Sequence, residues 1–198
     1  MHCNSLSLQG YDVNGIWNEE AGPNAPLYYK DQADGIDSTS GDSAVKAWTA
    51  AGIPADQLVL GVPFYGRISK AKKSVKSSKN GMYVEIDQSK QIKGDDYDEE
   101  GIDPCPNAVA TYSGMYQWRS IIEEGIPRNA SGWASTWDAA SATPYAYKGN
   151  KILSYDDADS LREKADYAKK NGLAGVMLWS LEMVRISSAN LDHVMQKV

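Results

Sequence analysis

Phenylalanine is almost missing from this chain of 198 residues: there is one, against 12 tyrosines and 6 tryptophans. Cysteine and histidine are nearly as scarce, at two each. Two Cys and two His cannot furnish a tetrahedral structural zinc site at workable spacing, so no metal is expected. Cys3 and Cys105 allow one disulfide or two thiols, and spacing does not decide between them. No apolar run approaches the roughly 20 residues that a membrane span requires. Basic charge is in deficit: 20 Lys and Arg stand against 26 Asp and Glu, a formal net charge of −6. That balance argues against nucleic acid or an anionic membrane as partner. The first residues, Met1-His2-Cys3-Asn4-Ser5, lack the basic segment and apolar core of a signal peptide.

The aromatic residues that are present carry a polar edge, which suits half-wet surfaces. A pyranose ring offers an apolar face and a rim of hydroxyls, so this composition fits a sugar cleft. It fits equally a core in which Tyr stands in for Phe.

Along the chain, Ser5 to Asp12 reads as a short strand, and Asp42 to Ala51 as a helix capped by Asp42 or Ser43. In that helix Ala44, Val45, Trp48 and Ala51 share a face. Leu58 to Tyr65 and Gly172 to Trp179 are continuous apolar runs without alternation, the pattern of strands covered on both faces in a parallel sheet. A helix from about Asp157 to Lys170, capped near Ser154 or Asp156, precedes the second run, and Leu191 to Val198 suggests a short closing helix. This is the rhythm of a βα barrel or a doubly wound sheet. Between Arg67 and Leu153 it breaks into short alternating pieces such as Met82 to Ile86, with one helix expected over Tyr112 to Glu124. Lys70, Lys72, Lys73, Lys76 and Lys79, and the acidic run Asp95-Asp96-Tyr97-Asp98-Glu99-Glu100, read as solvated loops.

Three pieces carry a family resemblance. Tyr11-Asp12 with Asn14-Gly15-Ile16-Trp17 and Asn24-Ala25-Pro26-Leu27-Tyr28 is the first, and Leu58 through Tyr65-Gly66-Arg67 the second. The third is Trp137-Asp138 through Pro144-Tyr145, then Ser154-Tyr155-Asp156-Asp157 and Gly175 through Trp179-Ser180-Leu181. In this order they resemble the sixth, seventh and eighth barrel strands of family 18 glycoside hydrolases of the chitinase type. The resemblance implies an α/β fold: a partial (β/α)8 TIM barrel with an inserted α+β lobe. Residues 1–66 and 154–198 would belong to the barrel and 67–153 to the insertion. Gln9 stands where the family usually has Met, and Glu182 where it has Asp.

The resemblance implies chitin or a chito-oligosaccharide as ligand, no cofactor, and a substrate-assisted retaining mechanism in which the sugar's own acetamide is the nucleophile. Tyr11 and Asp12 would orient that acetamide; Tyr65, Arg67, Trp137 and Trp179 would bind sugars, with Trp179 as the floor. Trp17, Trp48, Trp118 and Trp133 are read as packing residues. The family's general acid lies in an Asp-x-x-Asp-x-Asp-x-Glu pattern, which this sequence does not contain. Barrel strands one to five are thus absent from it, and the chain alone is not expected to hydrolyse chitin. It would need an N-terminal barrel half or self-association. The alternative is a chitinase-like protein that binds sugar without cutting it. The resemblance also implies an extracellular location, in which case Asn129-Ala130-Ser131 would be a glycosylation sequon.

Overall fold

The apolar run that opens at Leu58 does not continue as one strand. In the computed structural model, which describes residues 5–29, 39–77, 81–89, 91–102 and 104–184, it divides at Phe64. Strand β2, Leu58–Pro63, is the centre of a three-stranded parallel sheet, between β1 (Leu6–Leu8) and β8 (Gly175–Trp179). Strand β3, Tyr65–Lys70, belongs to a second, antiparallel sheet. Phe64 joins the two: its N–H donates to the Trp179 carbonyl at 2.7 Å, and its own carbonyl accepts from Trp118 N at 2.9 Å.

The central position of β2 explains its composition. Leu58, Leu60 and Val62 are buried, and a strand hydrogen-bonded on both edges with cover on both faces needs no polar alternation. Helix α1, Gly41–Ala50, buries Val45 near this sheet. Its cap is Ser40, in a reciprocal box with Ser43, rather than Asp42 or Ser43 as expected; Asp42 instead accepts from the Tyr167 hydroxyl. Trp48 does not join the buried face and is 43% exposed, because only Gly41 and Val45 of this helix turn fully inward.

The second sheet has five strands in the order β4-β3-β7-β6-β5. They are β4 (Met115–Gln117), β5 (Ala134–Asp138), β6 (Thr143–Lys148) and β7 (Lys151–Ser154), beside β3. The helix expected over Tyr112–Glu124 is therefore shorter. Its first half pairs with β3 as β4, and only Trp118–Glu123 is helical, as α2. Trp118 packs against the cores of both sheets, and Trp133 is buried in the second. From β7 the chain enters α3, Ala158–Lys170, capped by Asp157, which accepts from Asp159 N and Ser160 N. Leu161, Lys164, Tyr167 and Ala168 of α3 are buried. The helix then returns the chain to β8, parallel to β2.

The result is a mixed α/β fold and not a closed barrel. Among the described residues, the outer edges of β1 and β8 pair with no further strand. No described helix is long and apolar enough to cross a membrane. Cys3, Lys79 and the closing helix expected over Leu191–Val198 lie outside the described residues.

Candidate functional site

Parallel strands bring their C-terminal ends to one side of a sheet, and three such ends meet here. Tyr11 follows β1, Tyr65 follows β2 and Phe64, and Trp179 closes β8. The ring centroids of Tyr11 and Tyr65 lie 6.0 Å apart at 74°, an edge-to-face contact, and those of Tyr11 and Trp179 lie 6.4 Å apart at 30°. Tyr11 is buried under its neighbours, whereas Trp179 is 51% exposed. A half-open indole at the end of an apolar strand is a surface on which a flat apolar face can rest. The peptide bond that follows it, Trp179–Ser180, is cis.

Asp12 organises the polar side. Its backbone is left-handed, with φ of 58°, which Asp tolerates better than most residues. Its N–H donates to Asn24 Oδ1 at 3.2 Å. Three donors fall on one oxygen: Tyr65 Oη at 2.8 Å, Arg67 Nε at 2.9 Å and Arg67 Nη2 at 2.8 Å, all on Asp12 Oδ1. Oδ2 accepts nothing from the described residues, and the Asp12 side chain keeps 26% of its surface exposed. Arg67, expected to bind sugar, makes an ion pair with Asp12.

Arg67 makes one further hydrogen bond and two ring contacts. Nη1 donates to the Ser113 carbonyl at 3.0 Å, and the guanidinium lies 5.2 Å from the Tyr65 ring centroid and 5.5 Å from that of Trp17. Burial, followed by the negative charge of Asp12 and the hydrogen bond to it, pushes the Tyr65 phenol well above the ordinary tyrosine value. Burial and the charge of Asp12 raise Tyr11 as well. Both phenols are therefore proton donors across the neutral range.

Five of the six residues expected from the sequence thus form one cluster: Tyr11, Asp12, Tyr65, Arg67 and Trp179. Trp137 does not join it. It lies on β5, the far edge of the antiparallel sheet, three strands from β3, and at about 4.8 Å per strand that is roughly 14 Å. Two participants were not anticipated. Trp17, read as packing, is 50% exposed beside Arg67. Asn24 is 1% exposed. Its backbone N–H donates to Ser154 Oγ at 2.8 Å and its side-chain amide to the Tyr65 carbonyl at 3.4 Å, so this one residue ties the loop after β1 to β7 and β3.

The acidic run is not simply solvated either. Asp95 and Asp98 are 6% and 2% exposed, and backbone N–H groups surround their carboxylates. Among the described residues, no group of three or more His, Cys, Asp or Glu is arranged to hold a metal ion. Glu182, beyond β8, is exposed; the Ser180 hydroxyl lowers its carboxyl pKa, and its carbonyl accepts from Arg119.

The cluster thus offers a half-exposed indole, two phenol donors and a carboxylate clamped through one oxygen. Residues 1–183 match the family described as Glycosyl hydrolases family 18, and the chain belongs to that family. A chitinase-like effector of Moniliophthora roreri is 37% identical over 188 residues, which span 88% of this chain and 45% of the effector. An endochitinase of Manduca sexta is 28% identical over 90% of this chain and 30% of its own length. The crystal structure of a chitinase from Rhizomucor miehei superposes with a TM-score of 0.89 at 57% identity, over 98% of this chain and 53% of that one. The chain therefore spans about half the length of the relatives it matches, or less.

Proposed function

We propose that this chain forms the acetamide-orienting and floor portion of a chitinase-type site, binding β-1,4-linked N-acetylglucosamine oligomers. The observation that carries this reading is the meeting of Tyr11, Asp12, Tyr65, Arg67 and Trp179 at the ends of three parallel strands. In this reading the three strands are the sixth, seventh and eighth of a family barrel, and residues 67–153 are the insertion between the last two.

The chemistry follows from the donors. A sugar resting on Trp179 would present its N-acetyl carbonyl to the Tyr11 phenol, which is protonated and can donate. Asp12 Oδ2 would accept from the amide N–H or a hydroxyl of the same sugar, while Oδ1 stays occupied by Tyr65 and Arg67. Held so, the acetamide oxygen attacks the anomeric carbon as the glycosidic oxygen departs; family 18 is a substrate-assisted exception to the two-carboxylate pattern. The departing oxygen takes up a proton, and water then opens the cyclic intermediate with retention. The proton donor is the part these residues do not supply, since the sequence holds no Asp-x-x-Asp-x-Asp-x-Glu. General acid help is worth roughly a hundred- to ten-thousand-fold, so the 198 residues alone bind without turning over. With a barrel half that carries the acid, the site would hydrolyse.

Titration calorimetry with chito-oligosaccharides tests this reading. Heat of binding that disappears in Trp179→Ala, with no released reducing ends, is the expected result. No binding by the unaltered chain overturns the reading, and turnover by the chain alone overturns its account of the acid. A second reading, a protein that holds chito-oligosaccharides without any partner half, draws support from the similarity to the chitinase-like effector. The edges of β1 and β8, unpaired among the described residues, favour association over that reading. Light scattering that finds a stable monomer of 21.6 kDa would favour the second. An extracellular location follows from either reading, as the place where chitin is met.

A further inference from the structure

We infer that Asp98, in the acidic turn of the lobe, is a positioning residue for Arg67, acting through a single peptide unit. The carbonyl that receives Arg67 Nη1 belongs to Ser113, at 3.0 Å. The N–H of the same peptide bond, Gly114 N, donates to Asp98 Oδ2 at 3.0 Å. The carbonyl and N–H of a trans peptide point in opposite directions in one rigid plane. A guanidinium therefore holds one end of this plane and a carboxylate the other.

The carboxylate is firmly placed. Asp98 is 2% exposed, and four donors converge on it: Gly94 N at 2.8 Å and Gly114 N at 3.0 Å on Oδ2, Ser113 Oγ at 2.8 Å and Ser113 N at 3.3 Å on Oδ1. A fixed negative charge at the N–H end polarises the peptide and strengthens its carbonyl as an acceptor for a cation. The backbone has little freedom to compensate. Gly114 has φ of 69°, its carbonyl accepts from Ile68 N at 2.8 Å, and a Cβ there would meet the Ile68 carbonyl at 2.6 Å. Arg67 is thus gripped between two carboxylates, Asp12 directly and Asp98 at one remove. Without the second grip the guanidinium can swing about the Asp12 contact, and Tyr65 and Trp17, which it touches, lose a common reference.

The part of this inference that concerns sugar affinity rests on the proposed function; the part that concerns Arg67 does not, and the two are separated by reading the arginine itself. The Nη1–H resonance of Arg67, identified by its absence in Arg67→Lys, reports how well the hydrogen bond to the Ser113 carbonyl is held. In Asp98→Asn, which cannot accept on both atoms, exchange of that proton should speed up by at least about tenfold, the scale expected when a charge-assisted contact is lost. Affinity for chito-oligosaccharide should fall about as much in the same variant. Asp95→Asn removes a neighbouring buried carboxylate that bonds Gln117 N and Tyr97 N instead, and should leave the Arg67 signal within twofold. Ser113→Ala keeps the Gly114 N–H on Asp98 and should do the same, which keeps the inference testable even if the Asp98 variant does not fold. Unchanged Arg67 exchange in Asp98→Asn overturns the inference, and so does equal loosening in Asp95→Asn or Ser113→Ala. If the arginine loosens as expected while the unaltered chain binds no sugar, the positioning role stands and the carbohydrate reading falls.

Discussion

Lys164 Nζ lies 2.5 Å from Asp156 Oδ1, with side-chain exposures of 3% and 0%. The Ser160 hydroxyl donates to the same oxygen at 2.6 Å, and Asp156 Oδ2 is buried without a hydrogen-bond partner among the described residues. Burial lowers the pKa of Lys164, and the charge of Asp156 opposes that shift. Removing the cation leaves a buried carboxylate with the Ser160 hydroxyl but without its counter-charge. Lys164→Met should therefore cost about 3–5 kcal/mol in denaturant unfolding, whereas Lys164→Met with Asp156→Leu should recover most of it. A double variant no more stable than the single one would refute this account.

Tyr65 sets the alkaline behaviour of the site. Its folded pKa is raised above 10.0, first by burial and then by Asp12. A raised pKa means that the phenol's contribution is whole below the unfolded value of about 10 and is lost as pH climbs beyond it. Stability should thus fall more steeply above pH ~10 in the unaltered chain than in Tyr65→Phe. At neutral pH the variant should be weaker by about 1.5–3 kcal/mol, the worth of a hydrogen bond to a charged acceptor. Unfolding curves from pH 7 upwards, read by circular dichroism, check both statements.

Gly66 separates the two clamp residues Tyr65 and Arg67, and a Cβ there would lie 2.4 Å from the Ser154 carbonyl. That neighbour is backbone, in the β3–β7 ladder, and cannot turn aside. Gly66→Ala should destabilise by about 1–3 kcal/mol or more and should weaken sugar binding through displacement of both neighbours. A variant with unchanged melting temperature would show that the ladder yields.

Trp17 should behave in the opposite way. It is 50% exposed, so Trp17→Ala should leave the melting temperature within the small range of surface changes, about 0.5 kcal/mol. Loss of an aromatic contact with sugar and with Arg67 should reduce affinity for chito-oligosaccharide roughly tenfold. Full affinity in this variant would return Trp17 to the packing role first assigned to it.

The sequence told these features apart unevenly, for physical reasons. The apolar runs located both β2 and β8, but only β2 is covered on both faces; β8, expected to be buried likewise, is partly exposed and paired along one edge among the described residues, and the two look alike in composition. The division at Phe64 was not legible, because an apolar residue fits the core of either sheet and leaves no polar mark where the chain changes partners. Met115–Gln117 misled in the same way: a few apolar residues ahead of a short helix fit either period. Asp95 and Asp98 were hidden by their neighbours, since a run of acids looks solvated whether or not some of its carboxylates are enclosed by N–H groups. Gly94 and Gly114 were the signal available, for glycines near an acid allow backbone to close around it. The clustering of Tyr11, Asp12, Tyr65, Arg67 and Trp179 came from matched motifs, and no local pattern would have assembled it. The place of Trp137 on the edge strand β5 was not legible either, because adjacency to a motif says nothing about which edge of a sheet a strand occupies.

Phe64 has a consequence for anyone who would recombine this chain with a relative. Its amide is committed to β8 and its carbonyl to Trp118 at the start of α2, and the clamp begins at the very next residue. A chimaera joined between Pro63 and Arg67 would inherit half of its wiring from each parent. Crossovers beyond Lys70 on one side and before Lys151 on the other keep Tyr65 and Arg67 with β2 and β7, but the exchanged piece must then bring its own equivalents of Asp98, the Ser113 carbonyl and the Trp118 amide.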